Sequence, residues 1–369
     1  MDHELLKFIW WLLIGALLIG LVIVEGLDLG ARVLLPFMQG QSGAALQPVR
    51  PASLPRRIKL LWLLALSCTL SAAWPTVGWL PGLGGLIGVL ALRCEPCGQA
   101  TRSLRTWTAQ VIGLMPAMLI GVVLGNLLLG MPFSRCAGQV SHFHGTLSGL
   151  LRPFALLVGL VSLSMLCQLG ATWAMLRGAG SLRPAARQLA CRAGVVFLVS
   201  FSTAALWLAA DLRGYTLAEG GHSAALCMPG QWVVLPGNTG WQANFRAWPA
   251  AILAPVLAVG GTILSLCAAA RGRAGLAVVA SALTITAMLC CVGVALFPFI
   301  VPSSVQLSAS LTVWNAASGE KMMGMMLIFA SVLMPMLLAY TVGAGLGSRN
   351  RLSQVAVADS FQHSPRPIL

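Results

Sequence analysis

Apolar runs long enough to cross a bilayer alternate with short polar breaks along almost the whole chain. The first, Phe8 to Leu35, reads FIWWLLIGALLIGLVIVEGLDLGARVLL, and about 20 such residues in a helix span a hydrocarbon core of about 30 Å. Nine runs of this kind predict helices at about 8–35, 58–73, 77–92, 111–129, 154–175, 195–210, 247–270, 276–299 and 322–342. The second and third are short, and only Trp74-Pro75 parts them. The fold predicted is all-α: a polytopic membrane protein with nine transmembrane helices, one integral membrane domain over 1–369, and a polar tail at 348–369 expected to be disordered. The longest loop, about Asp211 to Arg246, carries Gly-Gly, Pro-Gly and Gly-Asn turn signals with Trp232 and Trp241, and is expected to cap one face.

Parts of the pattern repeat. Leu17-Leu18-Ile19-Gly20-Leu21-Val22 in the first span echoes Leu156-Leu157-Val158-Gly159-Leu160-Val161 in the fifth, and Leu29-Gly30-Ala31 echoes Leu169-Gly170-Ala171. The fourth and eighth spans both run into Pro-Phe, at Met131-Pro132-Phe133 and Phe297-Pro298-Phe299. Four helices separate each pair, so the repeats run in the same direction: two four-helix units plus one peripheral ninth helix.

Composition agrees with a membrane solvent and excludes a soluble one. Hydrophobic residues fill 58% of 369 positions and charged residues 9%, far from globular averages. Met1-Asp2-His3-Glu4 puts acids where a signal peptide carries positive charge, so the first run is expected to be a retained helix. Of the 23 Lys and Arg, 17 fall on one set of alternate loops and the tail when Arg32 is included, against 6 on the other set. That bias predicts an N-terminus outside and a cytoplasmic C-terminus. The net charge of +14 follows from it and suits anionic lipid at the inner leaflet. No separate basic domain is present to suggest a nucleic-acid partner.

Only three charges lie inside the first apolar run: Glu25, Asp28 and Arg32. At 100° per residue Glu25 and Asp28 share one side of a helix, while Gly26 and Gly30 form a small-xxx-small pair on another, suited to close packing. A carboxylate facing lipid costs about 2.5 kcal/mol or more, so the two acids should face protein, water or a counter-charge. Arg32, one turn beyond Asp28, is the nearest candidate. The set reads as a proton relay or a buried ion pair; the bland alternative is an interfacial pair that snorkels to the headgroups.

Histidine placement argues against haem ligation. His3, His142, His144, His222 and His363 all sit in predicted termini or loops, whereas a haem in the bilayer needs an axial ligand on a helix. His142-Phe143-His144 and Cys94-Glu95-Pro96-Cys97 lack the further ligands that a metal site needs. Cys136 and Cys227 both fall on the predicted outer side, where a disulfide could form if their loops meet. Cys68, Cys167, Cys267, Cys290 and Cys291 fall in spans as small hydrophobes. No phosphate-binding loop or nucleophile-base arrangement occurs. Asn126, Gln168 and Asn315 lie in or beside spans, where such groups commonly bond neighbouring helices.

Taken in order, Phe8-Ile9-Trp10-Trp11-Leu12-Leu13, Glu25-Gly26-Leu27-Asp28-Leu29-Gly30, Ala72-Ala73-Trp74-Pro75 and Gly125-Asn126-Leu127-Leu128 with Pro132-Phe133 form a familiar series. It continues through Pro153-Phe154, Gln168-Leu169-Gly170-Ala171-Thr172-Trp173, Phe297-Pro298-Phe299 with Pro302-Ser303-Ser304, and Ser310-Leu311-Thr312-Val313-Trp314. The chain resembles subunit II of the cytochrome bd-type quinol oxidases along nearly its whole length. The resemblance implies a subunit of the bacterial inner membrane that ligates no haem and pairs with a homologous subunit I carrying haems b and d. A small single-helix subunit can accompany the two. In such complexes quinol is oxidised on the outer side, oxygen is reduced to water and protons come from the cytoplasm. This subunit's implied part is to stabilise the assembly, sometimes to hold a structural quinone, and to give proton or oxygen access. Trp62, Trp74, Asn126, Gln168, Trp173, Trp314 and Asn315 are the expected structural or partner contacts.

Two departures bear on the proton route. Where the family typically carries His-Trp-Asp-Gly-Asn-Glu/Gln-Val-Trp, this chain has Pro55-Arg56-Arg57-Ile58-Lys59-Leu60-Leu61-Trp62, so the family acid has become Arg57. Asn315 follows Trp314 where the family usually has Asp. The reading is a non-catalytic membrane subunit of a quinol:oxygen oxidoreductase. Its competitors are a secondary transporter, suggested by parallel repeats and midspan acids, and a structural assembly subunit that has lost the proton path.

Overall fold

The structure, a computed structural model, describes residues 3–39, 56–74, 102–135, 141–177, 182–210, 214–219, 232–237 and 240–362. Among them are eight long helices: α1 (His3–Gln39), α2 (Arg56–Ala73), α3 (Arg102–Leu129), α4 (Pro153–Arg177), α5 (Leu182–Ala210), α6 (Leu253–Ala270), α7 (Ala274–Leu296) and α8 (Glu320–Gln362). Six contain stretches long and apolar enough to cross a membrane, and Leu114–Leu129 of α3 is a shorter apolar helix. The span expected at 77–92, Cys94, Cys97, Cys136, Cys227 and His222 lie outside the described residues.

Helix α4 is the axis. It packs against α1, α3, α5 and α7, and 78% of its apolar window is buried. α5 packs on α6 and α6 on α7, so α4 to α7 close a four-helix ring. α1 joins that ring to α2 and α3, while α8 touches only α1 and α2 among the long helices, by more than marginal contact. The window of α8 is 17% buried, which leaves most of its apolar surface to lipid or a partner.

Small residues set the distances between axes. A Cβ on Gly121 of α3 would overlap the Val158 carbonyl oxygen and reach Gly159 Cα at 2.7 Å; one on Gly125 would reach Ala155 Cα at 2.7 Å. These are backbone atoms, which cannot swing aside, so α3 and α4 meet at glycine-to-backbone distance. Between α6 and α7 hydroxyls do the bonding. Ser265 and Ser281 lie 2.8 Å apart and Thr262 and Thr284 3.3 Å, and Thr172 of α4 joins Ser281 at 3.4 Å.

Helix ends depart from the apolar pattern for identifiable reasons. The seventh run does not begin as one α-helix at 247: Ala243–Ala247 forms a short turn of helix, Trp248 breaks it, Pro249–Ile252 is a 3₁₀ turn, and α6 starts at Leu253. Pro298 ends α7 at Leu296, so Phe299–Val301 is a strand paired antiparallel with Leu311–Thr312. Beyond Ser348 the backbone stays helical to Gln362, against the disorder expected there; no Gly or Pro interrupts 349–362.

The two Pro-Phe segments meet at one end of the bundle. Met131 N donates to Pro302 O at 2.9 Å, Ser304 N to Met131 O at 3.0 Å, and Ser303 Oγ to Phe133 O at 2.5 Å. The long loop folds over the same end as a hairpin of Gly214–Glu219 with Trp232–Gly237. Its neighbourhood answers helix carbonyls that have no intrahelical donor. Trp241 Nε1 donates to Leu128 O at 3.0 Å and Tyr215 Oη to Leu129 O at 3.3 Å, at the end of α3. Gln242 Nε2 donates to Ala209 O of α5 at 3.1 Å, and Asn244 Nδ2 to Val294 O of α7 at 2.8 Å. Burial pushes the Tyr215 phenol up, with the Arg152 charge opposing.

Gly121→Leu should destabilise the fold by about 3 kcal/mol or more, because overpacking against backbone has no cheap relief. Gly260→Leu, where a Cβ meets nothing within 4 Å, is the control and should melt as the parent does. Thermal unfolding of the purified protein in detergent measures both.

Candidate functional site

Of the membrane charges seen in sequence, Glu25 makes a contact between α1 and α2. Glu25 Oε2 lies 3.5 Å from Lys59 Nζ, with side-chain exposures of 13% and 6%. Glu25 stands 22 residues along α1 from His3, roughly 33 Å of rise, so the pair sits toward the far boundary of a bilayer entered at the helix start. Lys59 is in the first turn of α2, and Arg57 beside it is exposed. Asp28, Gly30 and Arg32 continue the α1 helix, and their side chains lie outside the described residues.

Lys59 was missed by the sequence reading. In sequence it reads only as one of the basic positions at the start of the second span, yet α2 begins at Arg56 and Lys59 is buried. A usable signal existed: Ile58, Lys59 and Trp62 fall within about one turn on a single helical face. Trp62 is 2% exposed and its ring occupies the space a side chain on Gly20 would need. Its Nε1 donates to Thr341 Oγ1 of α8 at 3.0 Å. One face of α2 therefore carries an ion pair to α1, an indole fitted to a glycine of α1 and a hydrogen bond to α8.

On another face of α1, Gly26 is buried against α4 and α7. A Cβ there would meet Leu166 Cδ2 at 2.8 Å and Leu169 Cδ2 at 3.1 Å. The predicted packing residue and the predicted charge thus bear on different neighbours, α4 with α7 for Gly26 and α2 for Glu25. Nearer its start, α1 carries Trp10, whose Nε1 donates to Met323 O at 3.2 Å, and Trp11, which packs edge-on to Phe297 at 5.5 Å.

The remaining expected residues are scattered over the bundle. Asn126, 4% exposed, donates from Nδ2 to Val122 O at 2.8 Å and Leu150 O at 2.7 Å, tying α3 to the turn before α4. Asn315 accepts from Thr312 N at 2.7 Å through Oδ1 and donates to Ser310 O at 2.9 Å through Nδ2. An Asp could not make that second bond as a carboxylate. Trp314 packs at 6.4 Å from Phe297, with Lys7 Nζ 5.9 Å from its ring. Arg177 stacks over Trp173 at 4.2 Å. Gln168 and Trp74 are buried, and the Gln168 amide and the Trp74 indole N–H have no hydrogen-bond partner among the described residues. His144 Nε2 lies 2.7 Å from Ser134 Oγ in an exposed hairpin. Among the described residues no three His, Cys, Asp or Glu side chains come together.

Chemically, the α1–α2 pair cancels charge within a medium that solvates it poorly. Removing one member of a buried pair costs about 3–5 kcal/mol, because the other is left uncompensated. Lys59→Met should lower the yield and melting temperature of the purified protein sharply. Combining it with Glu25→Gln should recover most of the loss. A double variant as poor as the single one would show that Lys59 acts through something other than this pair.

Comparison with known proteins places this geometry. Residues 89–344 match the family Cytochrome bd terminal oxidase subunit II. The chain is 34% identical over 355 residues to cytochrome bd-I ubiquinol oxidase subunit 2 of Escherichia coli, covering 92% of this chain and 93% of that one. It is 33% identical over 354 residues to the probable cytochrome oxidase subunit 2 of Haemophilus influenzae, with 92% and 93% covered. In fold it is similar to a chain of the bd oxidase from Geobacillus thermodenitrificans, with a TM-score of 0.66 at 15% identity over 91% of this chain and 96% of that one. With its apolar helices and this match along nearly the whole length, the chain belongs to the cytochrome bd terminal oxidase subunit II family.

Proposed function

We propose that this chain is the haem-free membrane subunit of a cytochrome bd-type quinol:oxygen oxidoreductase in a bacterial inner membrane, stabilising a haem-bearing subunit I. The observation that carries the reading is the family match over nine-tenths of the chain, joined to the placement of its histidines. Of those described, His3 begins α1 and His142 and His144 lie in a hairpin; none stands in the interior of a long helix where an axial ligand would be needed. The partner's haems b and d then carry the redox chemistry. The transporter reading loses its support, since the relatives matched along their length are oxidase subunits.

Within that role, Glu25 with Lys59 is a structural charge pair. A proton relay needs a carboxyl group free to pass between its two states and a chain of groups leading to water. Here Glu25 faces Lys59 Nζ at 3.5 Å, and Arg57, exposed in the same first turn of α2, adds a second cation. Positive charge at an entrance repels the proton it would admit. The same reasoning assigns Asp28 a structural part, with the N-terminus outside and the basic loops in the cytoplasm.

Purification of the tagged chain from its own membranes should bring down a second multispan protein and a visible haem spectrum. A colourless chain recovered alone would overturn the proposal. Asp28→Asn in that complex should reduce yield while leaving quinol oxidase rate per haem unchanged. A slowed rate at full yield would instead make Asp28 part of a proton route.

A further inference from the structure

The ring of α4 to α7 ends in a cleft where α4 and α6 finish and α5 and α7 begin. Its volume is about 660 Å³, and Arg183, Arg187, Gln188 and Arg192 of α5 line it together with Met175 of α4 and Gly272. Gly272 joins α6 to α7 at a φ of +72°, a left-handed turn that suits glycine. Arg183 donates to Gly272 O at 3.1 Å and Arg187 to Ala270 O, so both guanidinia cap the end of α6. Capping accounts for their position but leaves their charge. No Asp or Glu occurs anywhere in α4, α5, α6 or α7. Arg192 at the cleft and Arg271 and Arg273 beside Gly272 are exposed, and none of their guanidinia makes a hydrogen bond or ion pair among the described residues.

The floor and flank of the cleft are apolar. Met175, which lines the cleft, packs in a buried cluster with Ala186, Ala268, Ala269, Ala274 and Ala277. On α5, Val195 and Val199 follow Arg192 at three and seven residues, along one stripe, and are 54% and 64% exposed. Cations at the mouth with an exposed aliphatic track leading from them into the membrane match a phospholipid, whose phosphate and acyl chain are joined end to end. A free anion would use the arginines and ignore the track.

We propose that this cleft binds one anionic phospholipid, its phosphodiester held by Arg183, Arg187 and Arg192 and one acyl chain lying along Val195 and Val199. The side of the membrane follows the loop charge bias, which makes this the inner leaflet. Basic clefts between helices at that face are suited to such headgroups.

The test uses the intact detergent-purified complex, stripped of lipid and re-loaded with dioleoyl phosphatidylglycerol or dioleoyl phosphatidylcholine, with bound lipid counted by native mass spectrometry. One phosphatidylglycerol should be retained more tightly than phosphatidylcholine, and millimolar inorganic phosphate should not displace it. Arg192→Gln, at a side chain with no internal bond to lose, should weaken phosphatidylglycerol retention about fivefold. Arg246→Gln, in the loop over the opposite end of the bundle, should leave it unchanged. Equal retention of the two lipids would reduce the cleft to an apolar groove and overturn the proposal. So would displacement by phosphate, which would make it a free-anion site, or unchanged retention in Arg192→Gln with an unaltered melting temperature.

Discussion

A bilayer interior offers no water to a polar group, so each one carried into it must be answered from within the protein. That constraint organises this chain at both ends of its helices. The carbonyls that close α3, α5 and α7 receive Trp241, Tyr215, Gln242 and Asn244 from a single loop. The end of α6 receives Arg183 and Arg187 from α5. These bonds fasten loops to helix ends and fix the relative heights of the helices. Once heights are fixed, the residues midway along them are fixed as well.

Between the ends, two devices hold the helices together without a hydrophobic driving force. Glycines let backbones approach, as at Gly121 and Gly125 of α3 against α4 and Gly26 of α1 against Leu166 and Leu169. Short hydroxyl bridges then join faces already close, as Ser265 with Ser281 does. Helix α2 is held differently, by Lys59 to Glu25, by Trp62 over Gly20 and by Trp62 to Thr341. It is a peripheral helix secured at a few strong points, and with α8 it presents apolar surface outward. An oxidase subunit that binds a second membrane protein requires such surface.

The sequence showed the architecture more plainly than the contacts. Apolar runs located the long helices because length and composition report directly on the membrane. Helix ends were less legible, since Trp248 and Pro249 break the seventh run through local backbone geometry that hydropathy does not register. Glu25 stood out as an acid among leucines, but its partner did not. Lys59 lies in Arg56-Arg57-Ile58-Lys59, which reads as a solvated basic loop until α2 is seen to start at Arg56. Asn315, read as a lost acid, closes a turn through two bonds to its own loop. The capping by Tyr215 and Trp241 depends on a hairpin folding back over α3, a contact across more than 80 residues that no local pattern encodes.

In the proposed division of labour within the complex, this chain supplies structure and its partner supplies every haem ligand. Replacing all five histidines by Ala in the co-expressed complex and recording the reduced-minus-oxidised visible spectrum tests that division directly. The account predicts haem bands of unchanged position and unchanged intensity per complex. Loss of one band from an otherwise intact complex would contradict it and assign an axial ligand to this chain.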